Sequence, residues 1–142
     1  MFLGVKVNIQ KVGTILAHAL VGWALCAATI GIGMAVTTVN NALIIHAIAA
    51  PVFFSSISFY YFRKFGYTKP LQTALVFITV VIGMDFFLVA LVINRSLEMF
   101  TSLLGTWIPF ALIFLSTYLT GLITQREITA NGSMLSSSTR TR

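Results

Sequence analysis

Acids are nearly missing from this 142-residue chain: Asp85, Glu98 and Glu127 are the whole set. Charged residues of either sign make up 8%, against roughly a quarter in a soluble domain. That is too little charge to cover a water-exposed surface, and the three acids form no sequence-adjacent pair for acid–base work. Cysteine is almost absent too. A lone Cys26 excludes an internal disulfide and any C-x-x-C redox or zinc motif, and its place inside an apolar run reads as a small packed thiol. There is no H-E-x-x-H, no G-x-S-x-G and no P-loop pattern. These absences predict a protein that is not an enzyme and that takes no metal and no cofactor.

What the chain has in quantity is apolar sequence, with 58% hydrophobic residues. They gather in four runs at about 12–38, 42–62, 71–93 and 101–123. Each is close to the twenty or so residues that cross a ~30 Å hydrocarbon core as helix. The predicted fold is therefore all-α and integral to a membrane, a bundle of four transmembrane helices. A basic leader, 1–11, precedes it. The first run is about twice the length of a signal-peptide core, so it reads as an uncleaved span. The Ser/Thr-rich tail, 124–142, has too little apolar surface to offset ordering entropy and is expected to be disordered.

The net charge of +6 does not point to nucleic acid, because the basic residues fall in the gaps between runs and no soluble basic face remains. Lys6, Lys11, Arg63, Lys64, Lys69 and Arg126 fall on one side of the predicted topology, and Arg95 on the other. By the positive-inside rule both termini lie in the cytoplasm of a cell membrane. Arg63, Lys64 and Lys69 follow the aromatic cluster Phe59-Tyr60-Tyr61-Phe62 and form the cytoplasmic basic anchor.

Small residues recur along the first span. Ala24/Ala28, Ala27/Gly31 and Gly31/Ala35 are four apart, the spacing that lets a second helix backbone approach closely. Ala24, Ala28, Gly31 and Ala35 thus mark a helix-packing face. Asn40-Asn41 predict a tight turn into the second span. Pro51 and Pro109 are expected to kink the second and fourth spans, since each removes a backbone donor. Both spans also read P-x6-S-x-Y, with Pro51, Ser58, Tyr60 in one and Pro109, Ser116, Tyr118 in the other. That recurrence leaves two readings open, an internal duplication or chance.

Asp85 is the one acid inside a run, and an intramembrane carboxylate is rarely lipid-facing. At ~1.5 Å per residue, His46 and Asp85 lie about 6 Å and about 12 Å from the same membrane edge. His18 lies about 9 Å from the other edge, too far to share a metal with His46. Asp85, His46 and, at the mouth, Asn41 are the candidate intramembrane polar site. Two functions follow. The first is a structural or accessory membrane subunit, docking a second copy or another membrane subunit through its small-residue helix faces. The alternative is a small oligomeric transporter or proton-handling protein using Asp85 and His46. In either case the lipid bilayer is the surrounding partner.

Overall fold

The computed structural model describes residues 8–93 and 95–140. It is helical, with no strand among the described residues. α1 spans Ile9–Val36, α2 Val39–Lys64, α3 Pro70–Met84 and α4 Ile108–Arg140. α3 continues without a gap into a π-helical segment, Asp85–Ile93. A 3₁₀ turn, Glu98–Thr101, and a second π segment, Leu103–Trp107, lead into α4. Counting the π segments, all four helices are long and apolar enough to cross a membrane. Large apolar side chains such as Ile48, Phe87, Val92 and Ile123 stand more than half exposed, a surface compatible with a surrounding membrane.

The helix ends follow from local chemistry. Asn8 caps α1 by accepting from the Gln10 N–H at 3.1 Å. The first turn is made by Thr37-Thr38, not by the expected Asn40-Asn41. Both threonines have extended backbone, and Thr38 Oγ1 accepts from the Asn41 N–H at 3.3 Å. The asparagines become the first turn of α2, because a threonine hydroxyl N-caps as readily as they would turn. α2 ends at Gly66, whose left-handed φ of +57° lets its N–H close on the Tyr61 carbonyl at 2.9 Å. Pro70 then opens α3 at a position where its missing N–H costs nothing.

The helices form a ring in the order α1, α2, α4, α3, with α3 closing on α1. α2 and α4 run parallel: Phe62 packs where a Gly121 side chain would sit, and Arg63 pairs with Glu127 at 3.2 Å. The centre is filled by Phe54 and Phe77, whose rings meet edge to face at 5.8 Å across the ring of helices. Ile15, Ala19, Tyr61, Val81, Phe110 and Ile113 complete the core. α1 reaches this core with its small residues. A Cβ on Gly22 would lie 2.6 Å from the Phe54 ring, so only glycine admits that contact.

Two further stretches bear on what the sequence leads one to expect. α4 continues as helix to Arg140, where composition predicts disorder from 124. Every side chain from Arg126 to Arg140 is exposed, so this stretch is held mainly by its own backbone bonds and by hydroxyls bonding back one turn, as Ser133 does to Ala130. The P-x6-S-x-Y segments also fall in unlike surroundings. Ser58 is fully buried and Ser116 half-buried, so the two segments are not equivalent in burial.

Candidate functional site

Asp85 sits where α3 passes from α to π geometry. π turns inside α-helices occur mostly as local bulges and often at functional positions. Its carboxylate is half-buried, and Oδ1 accepts a 2.8 Å hydrogen bond from the Trp23 indole Nε1–H on α1. An indole N–H can only donate and a carboxylate oxygen accepts, so the two satisfy each other. Cys26, one turn beyond Trp23, is buried within electrostatic range of the same carboxylate. Trp23 and Asp85 therefore form a polar link between α1 and α3.

His46 does not join it. The imidazole is buried on α2 and its Nδ1 has no hydrogen-bond partner. No hydrogen bond connects it to Asp85 among the described residues. Matching depth was the basis for expecting the pair, but α2 and α3 stand at opposite corners of the ring. Two phenyl rings span that diagonal at Phe54 and Phe77; the shorter side chains of His46 and Asp85 make no such bridge. Asn41 is placed elsewhere again. It is exposed and donates from Nδ2 to Thr37 Oγ1 at 3.2 Å, closing the α1–α2 turn. The three residues expected to share one site lie in three settings.

Both prolines lie within helical stretches. α2 runs through Pro51 as unbroken helix. Pro109 is the second residue of α4, where the π segment Leu103–Trp107 runs on into it as one continuous apolar helix. The preceding turn is held by side chains: Thr106 Oγ1 donates to the Met99 carbonyl at 2.6 Å and Trp107 Nε1 to the Phe100 carbonyl at 2.9 Å.

At the basic end of the bundle hydroxyls are linked in a short chain. Tyr61, fully buried, shares a hydroxyl bond with Thr68 at 2.9 Å, and Thr68 shares one with Thr73 at 2.6 Å. His18 lies in this region with its Nδ1 2.7 Å from the Thr14 carbonyl. A carbonyl only accepts, so that nitrogen carries the proton. Of the predicted anchor, Arg63 pairs with Glu127, which the sequence placed beside Arg126. Both side chains are half exposed, so the pair contributes little. Lys64 donates to Tyr60 Oη at 2.9 Å, and Lys69 caps α3 with its N–H on Gln72 Oε1 at 3.1 Å.

The expected packing residues Ala24, Ala28, Gly31 and Ala35 are all exposed. α1 buries another set, Ile15, Ala19, Gly22, Cys26 and Gly33. Around Gly31 nothing lies within 4 Å of where a Cβ would be. Trp23 is the residue sequence reasoning missed. It lies about 21 Å along α1 and Asp85 about 22 Å along α3, at ~1.5 Å per residue. A donor-only indole and an acceptor-only carboxylate at one depth on parallel helices were the available signal. Among the described residues no three His, Cys, Asp or Glu side chains gather to hold a metal. Comparison with known proteins finds no match to the chain, whether among family models, curated proteins or solved structures.

Proposed function

We propose that the protein is a structural or accessory membrane subunit that associates within the bilayer, with a second copy or another membrane protein, through α1. The observation that carries this is the outward face Ala24, Ala28, Gly31 and Ala35, small and exposed along its length. Helix association in lipid relies on close van der Waals approach, which such a face permits and a leucine face does not. These four positions follow one another at alternating steps of four and three residues, the period of a helix–helix seam. Asp85 then serves assembly of the chain itself, bonding α3 to α1. A cell-membrane location with both termini in the cytoplasm follows from the placement of the basic residues.

The test is cross-linking in the membrane, in a Cys26→Ala background. Ala28→Cys should give a cross-linked species larger than one chain, whereas Leu75→Cys, exposed on α3, should not. Equal yields at both positions would argue against a specific α1 interface. Topology is tested separately. Single cysteines at Tyr67 and Ser137 should resist an impermeant thiol reagent in intact cells, and one at Ser96 should react. Reaction at Tyr67 would reverse the orientation.

Proton handling through Asp85 and His46 is the second reading. It draws on the partnerless buried Nδ1 of His46 and on the π turn that begins at Asp85. Proton-driven uptake in liposomes that vanishes in Asp85→Asn would favour it. Full activity in that variant would remove it.

A further inference from the structure

Between α1 and α2, near the basic end, runs an outward-facing groove of about 370 Å³ lined by Ala17, His18, Val21, Ser56, Ile57 and Tyr60. Its lining is almost wholly carbon. Its shape is held in place. The His18 ring is tied to the Thr14 carbonyl, stacks on Tyr60 at 5.9 Å and meets Tyr61 and Phe65 edge-on at 5.5 and 5.4 Å. Two ammonium groups border the same aromatic cluster. Lys64 Nζ donates to Tyr60 Oη at 2.9 Å. Lys11 Nζ lies 5.3 Å from the Tyr67 ring, which packs on Phe65 at 5.7 Å. Neither lysine takes part in an ion pair; among the described residues the one salt bridge is Arg63–Glu127.

We propose that this groove holds an acyl chain of an anionic phospholipid, with the headgroup phosphate on Lys64 and Lys11. An apolar groove with the Lys64 ammonium on the hydroxyl of its lining Tyr60, and Lys11 on Tyr67 of the adjoining aromatic cluster, complements a molecule with an aliphatic tail joined to an anion. At the edge of a bilayer that molecule is an anionic lipid. A zwitterionic lipid offers the same chain with its charge cancelled, and a free phosphate offers the charge without the chain. Ala17 leaves room for the chain on α1, and Ser56 leaves room on α2. The site goes beyond the association reading: it uses Ala17 and Val21, which lie toward the basic end of α1 from the Ala24, Ala28, Gly31 and Ala35 face.

The test uses the full-length protein and native mass spectrometry with dioleoyl phosphatidylglycerol, dioleoyl phosphatidylcholine and glycerol phosphate as probes. One phosphatidylglycerol per chain should be retained under conditions that strip phosphatidylcholine, and glycerol phosphate should not displace it. Lys11→Gln with Lys64→Gln should weaken retention about twenty-fivefold, at about fivefold for each lysine near an anionic headgroup. Ala17→Phe fills the groove and should abolish retention with both lysines in place. Ser56→Leu fills it from α2 and makes the same test if Ala17→Phe fails to accumulate. Phosphatidylglycerol retained unchanged by a groove-filled variant would overturn the proposal. So would phosphatidylcholine held as tightly, or displacement by glycerol phosphate.

Discussion

Gly22 and Gly31 lie on one helix and differ in everything around them. A side chain added at Gly22 would run into the Phe54 ring in the core, at 2.6 Å, whereas one added at Gly31 would meet nothing within 4 Å. The faces they belong to differ likewise. Ile15, Ala19, Gly22, Cys26 and Gly33 are buried by the other helices, and Ala24, Ala28, Gly31 and Ala35 are exposed. Small residues in a membrane helix are therefore not one class. Some let the chain close on itself, and others are left for a neighbour. Four-residue spacing is present on the exposed face and says nothing about which use applies.

The strongest way to break this contrast is Gly22→Leu. Four added heavy atoms against a fully buried phenyl ring should cost on the order of 3 kcal/mol, and little folded protein should survive detergent extraction. Thermal aggregation of the solubilised protein is the readout; normal stability would show that α1 packs otherwise.

Asp85 sharpens the contrast from the α3 side. Asp85→Leu orphans the Trp23 indole and should destabilise by about 1–3 kcal/mol. Asp85→Asn keeps an acceptor oxygen and should cost a few tenths, about the cost of weakening one charge-assisted bond to a neutral one. Equal losses from both would remove the Trp23–Asp85 bond from the explanation.

Gly66→Ala is a control remote from either α1 face. Its left-handed φ of +57° makes a Cβ cost about 1–2 kcal/mol. Stability should fall by that amount while association is untouched. The smallest effect belongs to deletion of 131–142. The described part of that stretch is exposed throughout, so melting temperature should not move; a truncated protein that aggregates would show that it docks.

The four apolar helices were legible because long apolar runs have few other uses, and the first three runs match their helices to within a few residues. Thr37-Thr38 displaced Asn40-Asn41 as the turn because both residue pairs have turn chemistry and only the structure shows which hydroxyl caps. The ring order was not legible. Depth along each helix can be counted from the sequence, but azimuth and neighbour cannot, so His46 was matched with Asp85 when Trp23 was its partner. Nor were the π segments at Asp85–Ile93 and Leu103–Trp107, since a one-residue change of register leaves no mark in an apolar run. The tail's helix went unseen because composition speaks to packing, and that helix has none.

Gly31→Leu makes the most direct test. The wild-type protein, gently solubilised from its membrane, should have a molecular mass by light scattering greater than a single chain plus its detergent. Gly31→Leu should have the mass of a single chain plus detergent and an unchanged melting temperature, because the added side chain has open space in the fold. A wild-type protein that is already a single chain, or a Gly31→Leu complex of undiminished mass, would contradict the assignment of that face to a partner.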